Sequence, residues 1–350
     1  METPCTSGTR PYFFASPQDR LADLPTFSAP FEAEHVGTVL LPPRWRKVRA
    51  LAGGQSGIKV LLVESKRADD DLGLPRLFVV KCAKKDSIFN SGAQTGKCFQ
   101  NEVRAALHVR KSGLTSPNVV RAFGAWQDGA KVYLAFEHCD GGELFTAYHS
   151  GGLDRRVGEH RTIVKQMLQA VNDLHKHGIF HQDICLENFL LMSDDTVKLA
   201  DFGGACRCPD AGDDLDGVPH AAFPAGPGKM HHMPPEFIWR HRSFDAQKVD
   251  VFQFGIAIFT LIVGTYPYQQ GQQISLFPHA ERNMDRCSRL QEVFRNSHYN
   301  ELLPAECMTL IQQLMAPDPV SRPSADRALE HPWFSIDKVA SEVDNCQSSL

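Results

Sequence analysis

No uninterrupted apolar run in this 350-residue chain reaches the roughly 20 residues that a bilayer span needs. The longest run, Phe254–Val263 (FGIAIFTLIV), suits a buried helix. There is little excess of either charge: 37 Lys and Arg stand against 41 Asp and Glu, a net charge of −4. That balance argues against nucleic acid or an anionic membrane as the main partner. The ten cysteines follow no repeating spacing, so they read as reduced thiols and not as a disulfide framework. The opening METPCTSGTRPYFFASPQDR lacks the basic start and apolar core of a secretory signal. No internal repeat is present. These absences lead us to expect a soluble, cytoplasmic protein, with length enough for one large domain or two lobes.

Residues up to about Pro43 are rich in Pro, Ser and Thr and lack sustained periodicity, so 1–43 are expected to form a flexible extension. Strand-like alternation starts near Trp45. It recurs at Lys59–Glu64, Leu77–Lys81, Val119–Phe123 and Val132–Phe136, with a helical pattern at Phe99–Val109. From about Cys139 helical spacing takes over, at Arg161–His177, Val249–Val263 and Ala305–Met315. Cys206–Pro235, dense in Gly, Pro and Asp, reads as a long loop, and loops of that length are usually functional or disordered.

Between Ile179 and Ala205 the chain reads IFHQDICLENFLLMSDDTVKLADFGGA. Asp183 stands five residues before Asn188, and Asp201 opens Asp-Phe-Gly. Phosphoryl transfer needs a carboxylate to take the proton of the attacking hydroxyl, and oxygen ligands to hold Mg²⁺ against the phosphates. The order H-x-D-x-x-x-x-N followed by D-F-G resembles the catalytic and metal-binding loops of eukaryotic protein kinases. Asp and Asn are also common turn formers and loop caps. That plainer reading has to account for four matches in order, at the family's spacing.

Other segments carry the same resemblance. LAGGQSGIKV (Leu51–Val60) is similar to the glycine-rich phosphate loop. Ala52 replaces the first Gly, Gly54 and Gly57 match the next two, and Lys59 takes the usual Val position with Val60 beside it. By itself this segment reads equally as a hairpin turn. FVVK (Phe78–Lys81) resembles the strand that carries the ATP lysine. FQNEVRAALHV places Glu102 at the family's ion-pair position on a helix, with Val103, Leu107 and Ala106 on the buried side. Taken singly, each reads as solvated: a lysine ending an apolar strand, a carboxylate on a helix face. Pro117-Asn118-Val119-Val120 matches the family's next segment.

YLAFEHCDGGELF (Tyr133–Phe145) resembles the hinge between lobes. The resemblance implies Phe136 at the back of an adenine pocket, the Glu137 carbonyl and Cys139 amide on the adenine edge, and Glu143 toward the ribose. Leu51, Val60, Val79 and Leu190 would form the apolar slot. Cys139 also reads as a reachable thiol at the pocket mouth. For the chemistry, the resemblance implies that Asp183 accepts the hydroxyl proton, that Asn188 and Asp201 bind Mg²⁺, and that Lys81, oriented by Glu102, meets the ATP phosphates. His181 and Phe202 would hold the two loops in place.

Farther on, Met233-Pro234-Pro235-Glu236 looks like the family's A-P-E, Asp250 takes the position that braces the catalytic loop, and Arg322 in DPVSRPS is placed to pair with Glu236. HPWF (His331–Phe334) closes the segment, so the resemblance spans about Trp45 to Phe334. It implies an α+β, two-lobed protein-kinase-like fold. A small N-terminal antiparallel-sheet lobe with one helix would occupy about 44–138, a larger, mostly helical C-terminal lobe about 139–335, and a short tail 336–350. It implies ATP and Mg²⁺ as cofactors and a protein hydroxyl as substrate, Ser or Thr before Tyr.

Three departures qualify the resemblance. Gln182 stands where the family usually has the Arg that reads a loop phosphate, and Gly204–Pro235 contains no Ser, Thr or Tyr. The two absences agree, and they predict an enzyme not switched on by activation-loop phosphorylation. Cys185 and Leu186 occupy the positions where the family distinguishes Ser/Thr from Tyr enzymes. Lys229, after Gly228, replaces a usual Thr and is a candidate for the missing positive charge near the γ-phosphate. Cys206, Cys208, His220, His231 and His232 admit a zinc reading, though Cys-x-Cys with scattered His is no standard ligand pattern and ordinary loop residues fit better. Asp210, Asp213, Asp214 and Asp216 read as a solvated loop tip. The rivals are a pseudokinase scaffold, motivated by Ala52, Gln182 and Cys185, and a small-molecule kinase of the same fold. Oligomeric state is not legible in the sequence.

Overall fold

A computed structural model of the chain describes residues 45–53, 57–65, 74–89, 94–149, 157–207, 220–221, 232–238, 244–267 and 303–335. The described residues fall into two compact units. The first takes in the described residues up to Thr115, Val119–Asp140 and Asp201–Ala205. The second takes in Ser116–Asn118, the described residues of Gly141–Ala200 and those from Cys206 onward.

The first unit is built on an antiparallel sheet of β1 (Trp45–Gly53), β2 (Ile58–Ser65), β3 (Leu77–Lys84), β4 (Ala122–Gln127) and β5 (Lys131–Phe136), in the order β1-β2-β3-β5-β4. With it are helices α1 (Lys85–Phe89) and α2 (Gln94–Lys111). Alternation gives each strand two faces. On one face Phe78, Val80 and Cys82 join Trp45, Leu61, Val63, Trp126 and Tyr133 in a buried core. Trp45 meets Phe78, Trp126 and Tyr133 edge-on, at centroid distances of 5.2, 5.7 and 6.2 Å, an arrangement that suits the ring quadrupoles. The opposite face aligns Val60, Lys81 and Leu134 in one cross-strand row, and Leu62, Val79 and Phe136 in the next.

Two expectations need correction here. The strand anticipated at Val119–Phe123 forms at Ala122–Gln127 instead. Val119 and Val120 are buried, but the backbone beside them bonds elsewhere: Leu199 N donates to Asn118 O at 2.8 Å. Apolar alternation reports burial, and burial does not require a ladder. On α2, Val103 and Ala106 are buried as expected, whereas Ala105 is buried in place of Leu107, which is only partly covered.

The second unit is mostly helical. After the short β6 (Gly142–Glu143) come α3 (Leu144–His149) and α4 (Val157–Lys176), then β7 (Ile179–Phe180), β8 (Phe189–Leu191), β9 (Val197–Leu199) and β10 (Cys206–Arg207). The helices α5 (Pro235–Ile238), α6 (Ala246–Val263), α7 (Ala305–Leu314) and α8 (Ala325–Leu329) follow. β6, β8 and β9 make one small sheet, β7 pairs with β10, and His220–Ala221 pairs with Phe244–Asp245.

Helix α6 is the scaffold for the loop between β7 and β8. Asp245 caps its start by accepting from Gln247 N at 2.9 Å and Lys248 N at 3.4 Å, and Gly264 ends it at φ +80°. Among the described residues it is the one helix long and apolar enough to cross a membrane, yet 78% of it is buried in the protein. Its composition is that of a core helix. Gly255 lets it approach α7 closely: a Cβ there would lie 2.5 Å from Met315 Cγ and 3.1 Å from Leu314 Cβ. Arg322, 1% exposed, pairs with both carboxylate oxygens of Glu236 at 2.7 and 2.8 Å. The helices α1 and α3 had no sequence expectation, being shorter than the window in which a period can be read.

Candidate active site

In the first unit the alternation of β3 turns Lys81 away from the aromatic core and onto the face crossed by α2. There its ammonium pairs with Glu102 and lies 3.4 Å from Asp201 Oδ2. Burial works against the Lys81 charge, but the two carboxylates outweigh it and hold the ammonium above the ordinary lysine range. Burial also pushes the Glu102 carboxyl up to about 7, with Asp201 reinforcing the shift and Lys81 opposing it. Asp201 adopts φ +66°, and its Oδ1 accepts from Gly203 N at 3.2 Å.

Asn101, the residue before Glu102, clasps the same segment. Its Nδ2 donates to Gly203 O at 3.0 Å and Ala205 O at 2.8 Å, and Phe202, just before Gly203, is fully buried. Sequence reasoning missed Asn101, since nothing local signals contacts more than a hundred residues away. The other first-unit candidates lie on and beside the sheet. Val60 and Val79 share the Lys81 face, and the Lys81 ammonium is 5.8 Å from the Phe136 ring centre. Leu51 is 38% exposed on β1 and Gly57 turns at φ +72°. Glu137 follows β5, with its N bonded to Arg121 O at 3.0 Å and its carboxylate accepting from Arg121 N at 2.6 Å. Cys139 is buried, which corrects the expectation of a reachable thiol. Gly54 lies outside the described residues.

In the second unit Asp183 and Asn188 meet across one short loop. Asn188 Nδ2 donates to the Asp183 carbonyl at 2.7 Å and to its Oδ2 at 3.1 Å. With the amide nitrogen so committed, the Asn188 oxygen is the atom suited to a cation. Asp250, fully buried, organises the loop from below. Its carboxylate accepts from His181 N at 2.7 Å and Gln182 N at 2.6 Å, with His175 Nε2 at 2.9 Å. The His181 ring sits 2.9 Å from Ala200 O. Gln182 is 6% exposed at φ +63°, and its Nε2 donates to Ala246 O at 2.8 Å and Asp250 Oδ1 at 3.1 Å. A neutral amide therefore packs into the base of α6 at the position where the family's arginine would project.

Gln253 was also missed, although it left a signal. A lone glutamine in the run VDVFQFGIAIF must find hydrogen-bond partners once buried. It finds them at Ile184 N, 3.0 Å from its Oε1, and Gln182 O, 3.2 Å from its Nε2. Glu143, exposed, stands opposite Leu190 in the β6–β8 ladder and accepts from Thr146 Oγ1 at 3.3 Å. Cys185 is fully buried, so no side-chain group at that position is presented to a phosphate. Cys206 is buried opposite Phe180, and His232 Nδ1 lies 2.9 Å from Ile184 O. Side chains at Ala52 and His220 are not described. Cys208, Asp210, Asp213, Asp214, Asp216, Gly228, Lys229 and His231 lie outside the described residues, as do 1–43 and the 336–350 tail.

The Asp201 carboxylate of the first unit, 49% exposed, and the Asn188 amide oxygen of the second are each, taken singly, hard oxygen donors of the kind Mg²⁺ prefers. Comparison with known proteins points the same way. The family described as "Protein kinase domain" matches residues 63–334. Among curated proteins, the chain is 26% identical over 257 residues to CBL-interacting protein kinase 2 of Oryza sativa subsp. japonica, covering 73% of this chain and 51% of that one. It is 27% identical over 248 residues to an Aurora kinase of Dictyostelium discoideum, covering 71% and 57%. It is 29% identical over 284 residues to CBL-interacting serine/threonine-protein kinase 12 of Arabidopsis thaliana, covering 81% and 51%. The chain spans about half the length of these curated relatives.

Proposed function

From the premise that this chain belongs to the protein kinase domain family, we propose that it transfers the γ-phosphoryl group of ATP to a Ser or Thr hydroxyl of a protein. We propose further that it does so without an activating phosphate on its own loop. The observation that carries the reading is the Lys81 ammonium held between Glu102 and Asp201, a charge positioned on a sheet face otherwise lined by Val60, Val79 and Phe136. Lys81 contacts the nucleotide phosphates, and Glu102 fixes its direction. Leu51, Gly54, Gly57, Val60, Val79 and Leu190 surround the nucleotide, with Glu137 and Cys139 on the adenine and Glu143 toward the ribose. Asn188 and Asp201 are the residues that would hold Mg²⁺, which would supply positive charge against the phosphates. Asp183 orients the substrate hydroxyl and takes its proton.

Support for phosphate independence is physical. Gln182 is uncharged, buried and already bonded to Ala246 O and Asp250, so it offers no cation for a phosphate. The segment Gly204–Pro235 has no hydroxyl to receive one. Mass spectrometry that located an activating phosphate in this segment would refute that part of the reading. Lys229 is the proposed source of the positive charge that Cys185 does not provide, and a near-normal kcat for Lys229→Ala would exclude it. A cytoplasmic location belongs to the same proposal and fits the free, buried thiols of Cys82 and Cys307.

The buried Cys185 also favours a second reading, a nucleotide-binding scaffold without turnover. An ATP-consumption assay over a peptide library, comparing wild type with Asp183→Asn, separates the two. Turnover that disappears in the variant supports the enzyme and reports the preferred hydroxyl. Identical traces support the scaffold.

A further inference from the structure

Gln253 is 4% exposed, and both of its hydrogen bonds go to the backbone on either side of Asp183. Its Oε1 accepts the Ile184 N–H at 3.0 Å, and its Nε2 donates to the Gln182 carbonyl at 3.2 Å. The outer sides of these two residues are engaged as well. Gln182 N donates to Asp250 Oδ1 at 2.6 Å, and His232 Nδ1 lies 2.9 Å from the Ile184 carbonyl. All four backbone polar groups flanking Asp183 are thus occupied by side chains of the second unit. The loop needs such restraint. Gln182 holds φ +63°, a left-handed conformation that a non-glycine residue adopts only when its surroundings hold it there. Local preference does not set this shape; the clamp does.

We propose that Gln253 is a positioning residue for Asp183: its carboxamide grips the two peptides that bracket the carboxylate and fixes its direction with no phosphate on the loop. This rests on the reading of Asp183 as the proton acceptor. Gln253 touches no reacting atom. Its effect is on geometry, and a general base displaced by about 1 Å can lose about 10²-fold in rate.

The test uses the full chain and two variants. Gln253→Met keeps the volume and removes both bonds. It is expected to lower kcat by about tenfold to a hundredfold, leave the KM for ATP within about twofold, and speed amide exchange at Ile184 by about tenfold or more. Gln253→Glu supplies the rescue. A buried carboxyl is driven toward its neutral form, and a neutral carboxylic acid offers the same donor and acceptor as the amide. Its kcat relative to wild type should therefore rise as pH falls from 8 toward 6. A Gln253→Met kcat within about twofold of wild type, or a loss shared equally between kcat and KM, overturns the proposal. A Gln253→Glu variant with no pH-dependent recovery does so too, including the case in which Gln253→Met fails to fold. Wild type that binds ATP but never turns it over refutes the kinase reading instead. Exchange at Ile184 then decides the clamp, unchanged protection in the variants overturning it.

Discussion

Removing the carboxylate of Glu236 should destabilise the second unit severely. Arg322 is 0% exposed at its side chain and Glu236 4%. The guanidinium makes two bonds to the carboxylate, and three more to Ala316 O at 2.8 Å, Lys248 O at 2.9 Å and Pro317 O at 3.3 Å. It also stacks 4.7 Å above the Phe252 ring. Glu236→Ala leaves that cation in place, desolvated and without a counter-charge, a situation that costs about 3–5 kcal/mol. For a unit of this size each kcal/mol lowers Tm by about 2–4 °C, so a fall of about 6–20 °C is expected. Arg322→Met should cost at least as much, because it strands the carboxylate and takes a donor from three carbonyls. The double variant should fall short of the sum by about 2 kcal/mol, since neither charge is then left alone. Urea denaturation of the transition that unfolds the second unit measures all three. Strict additivity, or a Glu236→Ala loss under about 1 kcal/mol, would refute the reasoning, because an exposed and screened pair would behave that way.

Three further outcomes are expected. Gly255→Ala, whose new Cβ would meet Met315 Cγ at 2.5 Å, should destabilise the α6–α7 contact by about 1–3 kcal/mol in the same assay, and an unchanged midpoint would show that α7 yields freely. Asn101→Leu removes both bonds to Gly203 and Ala205 and should raise the KM for ATP through misplaced Asp201; a KM equal to wild type would deny the clasp a role. Because the Glu102 carboxyl is pushed up to about 7, its ionised form is lost as pH falls through that value, so ATP affinity should weaken from pH 8 to pH 6. The same raised carboxyl makes its contribution to folding stability smaller as pH rises from the ordinary carboxylate range to 7. Glu102→Gln should flatten the affinity profile, and identical profiles in the two proteins would dismiss Glu102 as the titrating group.

Much of the fold was legible in the sequence because it rests on short-range pattern. Alternation at Leu77–Lys81 and helical spacing at Val249–Val263 each report a buried face, and both segments form the expected element, extended at one end to Lys84 and to Ala246. The Val119 segment misled because burial there comes with a single isolated bridge at Val119 and no continuous strand. Motif spacing drew attention to Lys81, Glu102, Asp183, Asn188 and Asp201, but it carries no distances. Asn101 was invisible for the reason that makes it effective: it reaches from α2 to Gly203 and Ala205, far along the chain. Gln253 left a trace as a polar residue in an apolar helix, though the trace named no partner.

By itself, then, the sequence determined which residue types stand at which spacing, which strands and helices can bury a face, and that the segment Gly204–Pro235 has no hydroxyl to phosphorylate. Tertiary structure decided where each polar group goes once water is excluded. It placed Lys81 against two carboxylates and folded Gln182 into the base of α6. It closed the carboxamide of Gln253 around Asp183 and buried Cys185 where a charge would ordinarily stand. The physical reason is common to all four. Hydrophobic periodicity is a property of neighbours along the chain, whereas a buried donor or acceptor must be matched by whatever the folded chain brings within about 3 Å, and only the fold specifies that partner.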